Sequence, residues 1–236
     1  MHVSLKEVAK YFGGHSALDS VSFDVPPGAV FGVVGPNGAG KTTLLKTIMG
    51  MLRPSSGSVT VDGRNPQTET AVRAGIGYLA EAQYYYLDFT VSETLCFYRE
   101  TYPTWQDERS RELCMGFGLS MRAKVKHLSR GQRTQLGVVL ALSYVPKLLL
   151  LDEPTAGLDP VMRRQFLALL MDEVAQHGTT VLISSHQLSD LERICDYVGV
   201  LHQGKLLDVA RIEDLKRQVF TVQVVLAEPP TDDFWR

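Results

Sequence analysis

Residues Gly35-Pro36-Asn37-Gly38-Ala39-Gly40-Lys41-Thr42-Thr43 fit the pattern GxxxxGK(S/T). They follow an apolar strand and open a helix, which is the context that such a loop needs to work. The chemistry is that of a phosphate cradle. Backbone N–H groups from Gly38 to Thr43 turn into one concavity, and the glycines let the chain wrap closely around phosphate oxygens. The helix beginning at Lys41 adds positive potential there. Lys41 is expected to reach the β and γ phosphates of a nucleotide, and the Thr42 hydroxyl to ligate magnesium.

A second cluster supplies acid. Lys147-Leu148-Leu149-Leu150-Leu151-Asp152-Glu153 is an apolar strand that ends in two carboxylates. Open α/β sheets bind their ligands at the carboxyl ends of strands. Two acids after a strand, taken alone, are most simply a solvated strand end. With a phosphate loop upstream, Asp152 is expected to hold magnesium, usually through water. Glu153 is expected to orient and polarise a water that attacks the γ phosphate.

These groups need a frame. The β-rich segments Val3 to Ala9 and Val21 to Val25 lead to Pro26-Pro27-Gly28, a turn. Val30 to Val34 is continuously apolar, as a buried parallel strand is. A helix from about Lys41 to Met51 follows the loop. Gly57 to Val61 and Ile76 to Leu79 read as further strands. From about Tyr84 to Val145 the pattern is helical. Thr90 with Glu93 forms a capping box before a helix through Phe97, and a second helix runs near Asp107 to Phe117. Ser129 with Gln132 forms another box heading a helix through about Leu142. Strand and helix alternation then returns. Asp159 caps a helix with Pro160 at its first position and Gly178 just past its end. Thr179 to Ile183 and Tyr197 to Leu201 are strands, with a short helix capped by Ser189 and Glu192 between them. The order predicts a parallel α/β core interrupted by a helical insert.

Composition fits that frame. The chain has 236 residues, 44% hydrophobic and 21% charged, which suits a folded globular core. Lys plus Arg number 24 against 26 Asp plus Glu. This balance gives no reason to expect nucleic-acid binding. The longest apolar stretch, Leu136 to Val145, falls far short of the roughly 20 residues of a spanning helix. The N-terminus lacks an apolar signal-peptide core, so the expected location is cytoplasmic. Cys96, Cys114 and Cys195 are widely spaced and read as reduced thiols.

Beyond these two clusters the sequence resembles the nucleotide-binding subunit of the ATP-binding-cassette (ABC) transporter family, over roughly residues 3 to 208. Leu128-Ser129-Arg130-Gly131-Gln132 resembles the family signature LSGGQ, with Arg130 in place of the first Gly. Ala156-Gly157-Leu158-Asp159 resembles the loop that touches a partner subunit. Ser185-His186 resembles the switch histidine, which can hydrogen-bond the γ phosphate. Phe12 stands where the family places a ring on adenine, and the adjacent Tyr11 is the alternative.

The resemblance implies a RecA-like P-loop fold with an antiparallel β lobe and an inserted helical lobe at about 84–145. The ATPase domain would span 1–208 and a short tail 209–236. It implies ATP and magnesium as cofactors and a transmembrane permease subunit as partner, with the chain peripheral on the cytoplasmic face of the membrane. A second ATPase subunit, identical or related, would face it. Each ATP would lie between one phosphate loop and Ser129, Gly131 and Gln132 of the other copy, with Asp159 at the contact. The family usually has Gln after the Ile76 to Leu79 strand. Here Glu81 stands in that register, with Gln83 two positions on as the alternative. Glu there resembles a branch that often serves exporters, and it would join Thr42 and Asp152 at the metal. A soluble ATPase of the same family, acting in complex assembly such as iron–sulfur cluster biogenesis, is the alternative function.

Overall fold

The computed structural model of the protein describes residues 1–218. Their elements run β1 (Val3–Phe12), β2 (His15–Val25), β3 (Val30–Val34), α1 (Lys41–Ile48), β4 (Ser56–Val61), α2 (Thr70–Arg73) and β5 (Ile76–Leu79). Then come α3 (Val91–Thr101), α4 (Asp107–Gly116), a 3₁₀ turn (Val125–His127), α5 (Arg130–Leu142) and β6 (Leu148–Asp152). The last are α6 (Pro160–His177), β7 (Thr180–Ser185), α7 (Leu188–Leu191), β8 (Tyr197–His202), β9 (Lys205–Arg211) and α8 (Ile212–Gln218). The final segment, 219–236, with Glu228-Pro229-Pro230 of the expected tail, lies outside the described residues.

Two sheets form. One has three antiparallel strands in the order β2-β1-β4. The other has six in the order β5-β6-β7-β3-β8-β9, parallel except for β9, which runs antiparallel to β8. This is the expected parallel α/β core with its antiparallel lobe. β6 is buried along its whole length and β3 nearly so, as interior parallel strands must be. One apolar cluster, including Phe23, Phe31, Leu44, Leu45 and Val61, packs the antiparallel sheet and α1 against the main sheet. A second, including Leu151, Phe166, Leu170, Ile183 and Leu191, fills the opposite face. The helices α3 to α5 have a core of their own around Val91, Leu95, Cys114, Leu136 and Val139. Buried Glu173 of α6 pairs with Arg109 of α4, and Arg109 Nε also donates to Leu142 O at 3.0 Å.

Both expected capping boxes of the helical insert form, at Thr90–Glu93 and Ser129–Gln132. The one at Ser189 does not. Its helix starts two residues earlier than that cap requires, at Leu188, with Gln187 at the cap. Ser185 Oγ accepts the Gln187 N–H at 3.0 Å, and Glu192 falls at the helix end. α1 stops at Ile48 rather than Met51, because Gly50 turns left-handed at φ 82° and Met51 N–H closes onto Lys46 O. β1 and β2 are longer than expected. Gly13 and Gly14, both at positive φ, make a two-residue hairpin that pairs Phe12 with His15.

Candidate nucleotide site

The main sheet brings the chemistry together. β6, β7 and β3 are neighbours, with Asp152 opposite Ser184 and Ser185 opposite Val34. The carboxyl ends of three strands therefore place the phosphate loop, Glu153 and His186 on one edge. A cavity of about 530 Å³ opens there, lined by residues that include Phe12, His15, Asn37, Gly38, Gly40, Lys41, Thr42, Thr43, Glu81 and Glu153.

The phosphate loop depends on glycine for two separate reasons. Gly38 and Gly40 sit at φ 80° and 106°, where a side chain is strained. Gly35 has no room for a Cβ, which would run into Leu201 O. Ala39 is buried beneath the loop. Lys41 is buried as well. Its Nζ donates to Gly35 O at 2.7 Å and Pro36 O at 3.1 Å, so the loop's own carbonyls hold the ammonium.

At the acidic end, Asp152 and Glu153 are both buried, and one hydroxyl serves both. Ser184 Oγ donates to Asp152 Oδ1 at 2.8 Å and accepts the Glu153 N–H at 3.0 Å. The Glu153 carboxylate is gripped at each oxygen. Lys41 Nζ lies 3.1 Å from Oε1, an ion pair without hydrogen-bond alignment. His186 Nδ1 lies 2.8 Å from Oε2 and must be the donor, because a carboxylate only accepts. Glu153 also holds φ 49°, a strained value for a residue with a side chain. Nearby, burial first and the Asp152 charge second hold the Tyr78 hydroxyl above its ordinary range.

Magnesium fits this site. Asp152 Oδ2 is buried and has no hydrogen-bond partner among the described residues. Thr42 and Glu81 line the same cavity. Among the described residues no group of three or more His, Cys, Asp or Glu could hold a metal by itself. An ion here would therefore complete its shell with phosphate oxygens and water, as magnesium commonly does.

Of the paired alternatives, Glu81 and Phe12 line the cavity, while Gln83 and Tyr11 do not. Gln83 Nε2 donates to Ala80 O at 2.8 Å, and its side chain borders a separate cleft toward the helical insert. Phe12 is 46% exposed, which rules out a core-packing role. Ser129, Gly131, Gln132 and Asp159 stand apart from the phosphate loop. They line a different cavity of about 660 Å³ with Arg130, Gly157 and Leu158. A single chain does not bring the two groups together. Sequence reasoning missed Ser184. Its only signal was position, one strand over from two acids and two residues before His186.

Comparison with known proteins agrees with this geometry. The family model for the ABC transporter matches residues 18–156. The ABC transporter ATP-binding protein YtrB of Bacillus subtilis is 34% identical over 94% of this chain and 76% of its own length. The bacitracin transport ATP-binding protein BcrA of Bacillus licheniformis is 32% identical over 92% of this chain and 72% of its own. A solved structure of an ATP binding subunit of an ABC transporter superposes with a TM-score of 0.84 at 27% identity, covering 92% of this chain and 93% of that one. Among the described residues no helix is long and apolar enough to cross a membrane. The family match over more than half of the chain, with relatives above 30% identity across nine-tenths of it, establishes that this chain belongs to the ABC transporter family, as a subunit that binds and hydrolyses ATP.

Proposed function

We propose that the chain powers export through a separate transmembrane permease, working as a pair of ATPase subunits with two composite sites. The observation that carries this reading is the linked set Lys41–Glu153–His186 at the edge of the phosphate-loop cavity. In this reading the backbone N–H groups of Gly38 to Thr43 and the Lys41 ammonium bind the phosphates, with Gly35, Asn37 and Ala39 shaping the loop. Phe12 stacks on the base. Glu153 orients the attacking water, and His186 fixes that carboxylate and senses the γ phosphate. Thr42, Asp152 and Glu81 would hold magnesium, which neutralises charge on the phosphates when bound.

The second cavity supports the paired arrangement. Ser129, Gly131 and Gln132 sit at the start of α5, where Ser129 Oγ caps the Gln132 N–H and the N–H groups of Arg130 and Gly131 lack intrahelical acceptors. They are separate from the chain's own phosphate loop, so they serve the ATP of a facing subunit, with Asp159 at the contact. Closure on ATP and opening after hydrolysis make the cycle. Exposed Tyr84, Tyr86, Leu87 and Phe97 form an apolar patch on the helical insert that suits contact with the permease. Glu81, in a register where Glu resembles the exporter branch, supports export as the direction.

A tagged pull-down from native membranes in mild detergent tests the reading. A stoichiometric partner with several spanning helices is the expected result. Recovery from the soluble fraction alone, with only soluble partners, would overturn it in favour of an assembly ATPase and leave the ATP chemistry in place.

A further inference from the structure

We propose that Arg130 is a phosphate-binding residue that acts across the pair, its guanidinium contacting the γ phosphate of the ATP held by the facing subunit. The inference rests on the composite-site reading above. Arg130 occupies the first position of α5, directly after the Ser129 cap, and it is exposed. A cation there opposes the helix dipole, which favours negative charge at that end. Nothing local offsets the conflict. The first turn of α5 carries no acid. Among the described residues the Arg130 guanidinium makes no hydrogen bond or ion pair. Asp159, the acid of the same cavity, spends its Oδ1 on the N–H groups of Val161 and Met162. A choice that breaks a local rule without compensation marks a functional position.

The side chain nonetheless packs along a neighbouring turn. Its stem lies across Gly157, with Cδ, Nε and Cζ 3.4–3.6 Å from the point where a Cβ would sit. Gly157 has φ 77°, so glycine both permits the turn and leaves room for the arginine. The guanidinium thus lies at the wall of the cavity that Ser129, Gly131 and Gln132 line. An unpaired planar cation beside the uncapped N–H groups of Arg130 and Gly131 suits a dense, doubly charged oxyanion, and a guanidinium binds phosphate bidentately. The terminal phosphate of ATP is that group in this reaction. An arginine brought to a transferring phosphate from a second subunit stabilises the charge that builds there.

Dimer formation measures the contact without requiring turnover. In a Glu153→Gln background, sedimentation at rising ATP gives the concentration at which half of the chain is paired. Adding Arg130→Met, which keeps the stem over Gly157 but removes the charge, is expected to raise that concentration about tenfold to a hundredfold. Arg130→Lys, which keeps the charge but loses the fork, is expected to recover part of the loss. If Arg130→Met pairs at the same ATP concentration as the parent, the proposal is wrong and the stem contact is the whole role of Arg130. If the Glu153→Gln parent itself stays monomeric with ATP, the composite-site reading fails and takes this proposal with it.

Discussion

Glu153 and His186 are joined through Oε2 and Nδ1 at 2.8 Å, while the other Glu153 oxygen faces the Lys41 ammonium at 3.1 Å. A carboxylate fixed at both ends has little rotational freedom. Its backbone is strained, and its amide is tied to Ser184, so main chain and side chain are both held. A general base needs that order, because proton abstraction depends on a set position before it depends on basicity. His186 is 44% exposed, so the carboxylate's partner on one side sits where an arriving phosphate can reach it.

Glu153→Gln keeps the shape and removes the proposed base. Turnover is expected to fall by a factor of about 10²–10⁴, the usual contribution of general-base catalysis. ATP affinity should change by less than threefold or so, because the cradle is untouched. Phosphate release and the binding of a fluorescent ATP analogue separate the two effects. His186→Ala should lower kcat about tenfold or more, with KM little changed. A Glu153→Gln protein that turns over near the normal rate would remove Glu153 from the base role.

Lys41→Ala is expected to act on binding and on folding together. It deletes the cation proposed to bind phosphate and strands Glu153 as a buried acid with one partner left. Breaking a buried pair from one side costs about 3 kcal/mol or more. The double variant Lys41→Ala/Glu153→Gln removes the stranded charge and should be more stable than Lys41→Ala alone. Urea midpoints of the four proteins form the cycle that measures the coupling. Unchanged nucleotide affinity in Lys41→Ala would mean that the loop is not the phosphate site.

The sequence made some of this legible because local rules and global fold agree there. The phosphate loop, the capping boxes at Thr90 and Ser129, and the apolar strand before Asp152 each carry their signal within a few residues. What it concealed is relational. Ser184 is an ordinary strand serine until the register sets it opposite Asp152. The Arg109–Glu173 pair joins positions far apart in sequence, and no spacing announces it. Gly13-Gly14 was readable as a hairpin turn, but the flanking residues lack clean alternation. At Ser189 a good cap residue sits two positions too late, because Ser185 closes the turn first.

Ser184→Ala tests the shared hydroxyl. It removes a buried donor to Asp152 Oδ1 and a buried acceptor for Glu153 N–H. Each unsatisfied buried group costs about 1–3 kcal/mol, so a loss of roughly 2–4 kcal/mol is expected in urea unfolding. Asp152 also loses its orientation. The magnesium concentration for half-maximal ATPase should rise, while Ser185→Ala, whose hydroxyl serves the turn at Gln187, should leave it near normal. Equal magnesium requirements in both variants would limit Ser184 to a structural part.

The thiols give a pH test with a defined sign. Burial pushes Cys195 up to about 12 and Cys114 up to about 11, while Cys96 is exposed. At pH 8 a disulfide reagent should therefore label one thiol quickly in the native protein and three after denaturation. In the unfolded chain these thiols ionise near pH 8.5, but in the folded protein they do not until far higher. Above that point the unfolded state binds fewer protons, so stability falls as pH rises. The loss begins near pH 8.5, grows toward pH 11–12, and amounts to about 1–2 kcal/mol per buried thiol by pH 10. Tyr78, Tyr85 and Tyr144, all raised first by burial, add to it in the same direction at higher pH. Urea midpoints at pH 8 and pH 10 for the parent and for Cys195→Ala isolate one thiol's share. A parent with equal midpoints at the two pH values would mean that Cys195 and Cys114 ionise as freely folded as unfolded, and that the core around α7 and α4 is open to water.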